Sequence, residues 1–192
     1  MMTLTFCRLF RSELARRVAG LVLVDTTYTN PVRTTTFSRF FQAIQKPLLE
    51  PILHLTVWLT PVVWLMDWIS YVNGVSHIMS MLTGFAGSET RGQLDLATRY
   101  NPLASPAVRA RGALAMLRFD ETRTLPEIPV PTLVLVGHLD RMTVPEAARF
   151  IARSIPAADE VTLQPGGHMS IFERNDQFTA AVTAFADRVQ VA

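Results

Sequence analysis

Apolar positions along the chain alternate between a helical and a strand-like pattern. Over residues 3–18, Cys7, Phe10, Leu14 and Val18 recur on one face, with Arg8, Ser12 and Arg16 opposite, which predicts an amphipathic helix ended by Gly20. Leu21-Val-Leu-Val-Asp25 is an aliphatic run without polar alternation, as in a parallel strand buried on both faces. Residues 32–100 are helical in character and hold no convincing strand. Residues 105–119 predict a further helix, with Ser105 as N-cap and Pro106 in its first turn. Pro126, Pro129 and Pro131 force an extended approach to a second strand, Thr-Leu-Val-Leu-Val, which stops at Gly137 and leads to Asp140. A helix from Val144 to Ile155 follows, then a third strand over roughly residues 160–163. Gly166, Gly167 and His168 come next, and a last helix at 175–189 carries an apolar stripe of Phe178, Val182, Phe185 and Val189. This order predicts an α/β fold of three parallel strands with flanking helices, right-handed crossovers and one long helical insert.

Composition adds limits. The chain has 192 residues, 49% of them apolar, enough for a domain with a real core. A net charge of +2 with both signs scattered points to no nucleic-acid partner. The single cysteine, Cys7, excludes an internal disulfide and a multi-cysteine metal site. The first residues lack the order of a signal peptide, so a cytoplasmic location is expected. Pro47 to Ile69 is about long enough to span a bilayer, but it carries Glu50, His54 and Asp67, with Pro51 and Pro61 inside. The expectation is two short, broken helices that cover a hydrophobic pocket or dip into a lipid surface.

The candidate chemistry sits at strand ends. Ligands of open parallel sheets lie beyond the carboxyl ends of the strands, and Asp140 and His168 are both delivered there. The pair fits a nucleophilic triad in which His168 is general base and then acid, and Asp140 holds its tautomer. The third member, a Ser in a Gly-x-Ser-x-Gly turn, occurs nowhere in the 192 residues. Cys7 would lie about 9–15 Å down its helix from such a turn and reads as a small core residue. Ser170 is too near His168 in sequence to meet its ring, and Ser76-His77 has no elbow context. His138, two residues before Asp140, would need further ligands to make a metal site, so neither metal nor cofactor is expected. Asp25 also ends a strand and reads as structural, bonding the Thr26-Thr27 turn.

These residues carry a resemblance to the α/β-hydrolase superfamily. FDETRTLPEIPVPTLVLVGHLDRMTVPE resembles that family's approach to strand seven with the acid at its end. GGHMSIFERNDQF is similar to its histidine loop, and ARRVAGLVLVDTTYTNP to its helix-to-strand-six unit. The resemblance implies that residues 1–31 and 104–192 are the C-terminal part of the hydrolase core, and that 32–103 stand in place of its variable helical cap. It implies Asp140 as triad acid, His168 as base, and an elbow at or just before Met1. Complete members of the esterase or lipase type hydrolyse carboxylic esters. An aspartate nucleophile would instead imply an epoxide hydrolase or dehalogenase. The expected substrate is a small lipophilic ester, with Trp58, Trp64 and Trp68 of the insert as candidate pocket-lining residues. Without the elbow the chain is expected to be inactive alone, or to serve as a non-catalytic complementing module. Strand 21–25 would offer an edge for homo-oligomer pairing, and residues 47–69 a membrane-surface contact.

Overall fold

A computed structural model describes residues 1–190. At its centre three parallel strands, β1 (Leu21–Val24), β2 (Thr132–Gly137) and β3 (Ala158–Leu163), pair in the order β1-β2-β3. The strands ending near Asp140 and His168 are therefore neighbours, with Thr132 opposite Ala158 and Gly137 opposite Leu163. β2 is buried at every position. Its side chains alternate between two apolar layers, which is why the sequence there shows no polar alternation. Val134 and Val136 face one layer, with Leu4 and Cys7 of α1 (Met2–Leu9), Leu14 of α2 (Arg11–Arg17) and Ile151 of the helix at Pro145–Ser154. Leu133 and Leu135 face the other, with Leu163 and with Phe185 of the terminal helix Asn175–Gln190.

The segment between β1 and β2 is helical, with α3 (Ser38–Ile44) running through a wide π turn into α4 (Glu50–Trp58), then α5 (Thr60–Val72), α6 (Val75–Gly84), α7 (Arg91–Leu103) and α8 (Pro106–Met116). Pro61 falls in the first turn of α5, where a missing N–H costs nothing, and Pro51 follows directly on the π turn in the run that continues from α3. The axis turns by 100° between Ser38–Trp58 and Thr60–Val72, and no single helix among the described residues is long and apolar enough to cross a membrane. Sequence position groups α8 with the α/β unit, yet it packs chiefly on α4 and α5. After β2 come α9 (Pro145–Ser154), a short α10 (Ser170–Glu173) and α11 (Asn175–Gln190).

Three local expectations change. The helix expected over 3–18 breaks at Phe10, whose backbone leaves the helical region, so its ring turns outward and packs on Phe6 with centroids 5.3 Å apart. Ser105 occupies the N-cap of α8, but its side chain makes no capping bond. β3 begins two residues earlier than expected, at Ala158.

Candidate active site

Gly137 and Gly167 set the geometry of the site. A Cβ on Gly137 would lie 2.1 Å from the Gly167 carbonyl oxygen, and one on Gly167 would lie 2.7 Å from that of Gly84. The glycines are needed for close backbone approach. Neither adopts the left-handed backbone that their place in tight turns would suggest. The exit of β2, the histidine loop and the end of α6 are thereby stacked against one another, with Leu139 N–H bonding the Gly166 carbonyl and Met169 N–H that of Gly84.

This stacking brings Asp140 and His168 together. Asp140 is 3% exposed, and its Oδ2 lies 2.9 Å from His168 Nδ1. The backbone N–H groups of Met142 and Thr143 donate to Oδ1, and the Thr143 hydroxyl donates to Oδ2 at 2.7 Å. Burial pushes Asp140 upward. The hydrogen bond and charge of His168, with the Thr143 donors, outweigh burial and hold the carboxyl below its ordinary 3.8. For His168 burial acts downward, but the hydrogen bond and charge of Asp140 and the charge of Asp25 prevail, so the imidazole lies above its ordinary 6.5. The ring retains 22% exposure, and its Nε2 bonds to no described residue.

Asp25 belongs to this cluster. Its Oδ1 accepts the Gly137 N–H at 2.9 Å and its Oδ2 the Ser170 hydroxyl at 2.5 Å. It does not bond the Thr26-Thr27 turn: Thr26 accepts from the Met1 amino group, and Thr27 from Thr34. Burial, with the nearby charge of Asp140, raises Asp25 to about 6 against the lowering effect of its hydrogen bonds and of His168. Its backbone φ of 40° is left-handed, unusual for a non-glycine residue. The Met1–Thr26 contact places the start of α1 at the same end of the sheet.

A second buried carboxylate, Glu173, ties the loop to the insert. It accepts from Gly167 N–H at 2.7 Å, Ala86 N–H at 2.8 Å and the Ser88 hydroxyl at 3.1 Å. Sequence reasoning missed Glu173 and Thr143. The Thr143 role has a local signal, an Asp followed three residues later by Thr at a turn. The Glu173 role has none, because its insert partners lie more than 80 residues away.

The other candidates separate from the pair. Ser170 is fully buried and bonded to Asp25. Cys7 is 3% exposed, with burial pushing its thiol upward. His138 Nδ1 accepts from Gly166 N–H, and no group of three or more metal-ligating side chains is found among the described residues. An apolar hollow of about 430 Å³ adjoins the Asp140 loop, between Val32, Phe37, Phe41, Leu82 and Met142, with Arg141 at its side. Trp58, Trp64 and Trp68 do not line it. Trp58 is 85% exposed at the end of α4, and Trp68 packs edge-on against Trp64 and Tyr71.

Comparison with known proteins agrees with this architecture. A polyketide synthase, ThaQ, of Burkholderia thailandensis is 36% identical over 92 residues, 47% of this chain and 4% of that one. A pimeloyl-[acyl-carrier protein] methyl ester esterase of Vibrio atlanticus is 28% identical over 96 residues, 50% of this chain and 37% of the esterase. A solved thermophilic esterase from Thermogutta terrifontis shares the fold with a TM-score of 0.69 at 23% identity, covering 97% of this chain and 61% of that one. The chain thus spans less than two thirds of each of these relatives. The model of the alpha/beta hydrolase family matches residues 2–182, and with its parallel sheet and strand-end carboxylate and imidazole the chain belongs to that family.

Proposed function

We propose that this chain supplies the acid and base of an ester-hydrolysing triad whose nucleophile lies outside the 192 residues. The observation that carries the reading is the 2.9 Å Asp140–His168 contact through Nδ1, which leaves Nε2 without a bond to any described residue. In that arrangement Nε2 takes the nucleophile's proton during attack on an ester carbonyl and returns it to the departing alcohol, while Asp140 stabilises the imidazolium. The substrate is a small lipophilic ester, in keeping with the esterases among the similar proteins and with the apolar hollow beside the Asp140 loop. The nucleophile would enter at the start of α1, which lies beside β1's carboxyl end.

The test is a fusion that places a strand and a Gly-x-Ser-x-Gly turn from a complete family member ahead of Met1. The 192-residue chain alone is expected to hydrolyse p-nitrophenyl butyrate no faster than its His168→Ala variant. The fusion is expected to gain an activity that His168→Ala or Asp140→Ala removes. Equal activity of the fusion with and without His168 would refute the assignment.

A further inference from the structure

We propose that the corner between α4 and α5 docks this chain on an anionic phospholipid surface. The inference is independent of the hydrolytic reading and rests on the insert alone. Two apolar stripes at helical spacing meet at this corner: Ile52, Leu55 and Trp58 on α4, and Val62, Leu65 and Ile69 on α5. Each is between 48% and 85% exposed. Trp58 is the most exposed of them and stands at the turn itself. An isolated exposed apolar residue needs no explanation, but six in two stripes do.

Charge decides which occupant fits. Residues 47–88 contain two acids, Glu50 and Asp67, and no Lys or Arg. Both acids are satisfied within the protein: Asp67 pairs with Arg109 of α8, and Glu50 accepts from the Gln45 amide at 2.9 Å. Arg109 neutralises Asp67, whereas Glu50, bonded to a neutral amide, keeps its charge four residues after Lys46. One helical run upstream, Arg39 and Lys46 are exposed, seven residues apart, and enter no salt bridge among the described residues. Tryptophan and aliphatic residues on a helical run that also carries free cations are the composition of a helix that lies in the headgroup region of an anionic membrane. The 100° bend excludes a straight span through Ser38–Val72 and suits a shallow, in-plane contact.

Flotation of the 192-residue chain with phosphatidylcholine vesicles, with and without phosphatidylglycerol, tests this. Binding is expected to require phosphatidylglycerol and to weaken with salt. Arg39→Gln and Lys46→Gln should each lower it about fivefold, and Trp58→Asp at least about tenfold. Leu55→Asp provides a second probe at an exposed position, with circular dichroism as the fold control. Leu9→Asp, on an exposed residue of α1 away from the insert, should leave binding unchanged. Absence of flotation would overturn the proposal. So would equal binding to both vesicle types with Leu9→Asp as damaging as Trp58→Asp, which marks general adhesiveness. A dimer by light scattering that Trp58→Asp dissociates, without lipid binding, would assign the corner to a second copy and overturn it equally.

Discussion

Replacing Asp25 by asparagine should stabilise the protein at alkaline pH, although it removes a conspicuous buried carboxylate. The asparagine side chain keeps the shape: its Oδ1 can still accept the Gly137 N–H, and its amide can donate to the Ser170 hydroxyl, which turns round to accept. What the substitution removes is a charge held in a poorly solvated place. In the native protein Asp25 is raised from 3.8 to about 6. Between those values the native state holds a proton that the unfolded chain has released, so stability is fully present below about 4 and falls as pH rises through about 6. At about 1.4 kcal/mol for each tenfold, the loss is about 3 kcal/mol, and partial solvent access reduces it to about 1–2 kcal/mol. Urea unfolding followed by circular dichroism at pH 4.5 and pH 8 measures it. Asp25→Asn should match the native chain at the lower pH and exceed it by about 1–2 kcal/mol at the higher. A variant less stable at pH 8 than at pH 4.5, relative to the native chain, would refute the buried-charge argument. It would mean that the attraction between ionised Asp25 and His168 outweighs desolvation.

Other consequences follow from the same cluster. Glu173→Gln leaves three donors facing an amide that can accept fewer of them, and a loss of about 2–3 kcal/mol is expected in urea, with faster amide exchange at Gly167 and Ala86. Thr143→Val removes a buried donor to Asp140, whose lowered carboxyl adds stability above its ordinary value and loses it as pH falls through the lowered one. That variant should lose about 1–2 kcal/mol at pH 7 and begin acid unfolding at a higher pH. Gly137→Ala sets a methyl carbon against the backbone of Gly166 and Gly167, so thermal unfolding should show at least about 2 kcal/mol of destabilisation and the Asp140–His168 contact should be disrupted.

The strand framework was legible because β2 is buried on both faces, and an uninterrupted Thr-Leu-Val-Leu-Val run fits few other environments. Asp140 and His168 were legible because each follows a strand and a glycine, so local pattern alone placed both at the carboxyl end of the sheet. The supports of the pair were not. Ser170 meets Asp25 across 145 positions, and Glu173 meets Ala86 across 87. Contacts of that range leave no periodic trace in a single sequence. The break at Phe10 escaped for a different reason: helical spacing continues through it, and only the packing of two short helices on the sheet decides that the ring faces outward. Likewise α8 reads from its sequence as an ordinary flanking helix, whereas its packing on α4 and α5 draws it toward the insert.

Titration of the His168 imidazole by NMR, in the native chain and in Asp140→Asn, bears most directly on the central claim that the two residues form one acid–base pair. The native ring should titrate above 6.5, and Asp140→Asn should lower its midpoint clearly, because burial then acts with less opposition. The same midpoint in both proteins would contradict the pair and the proposed function with it.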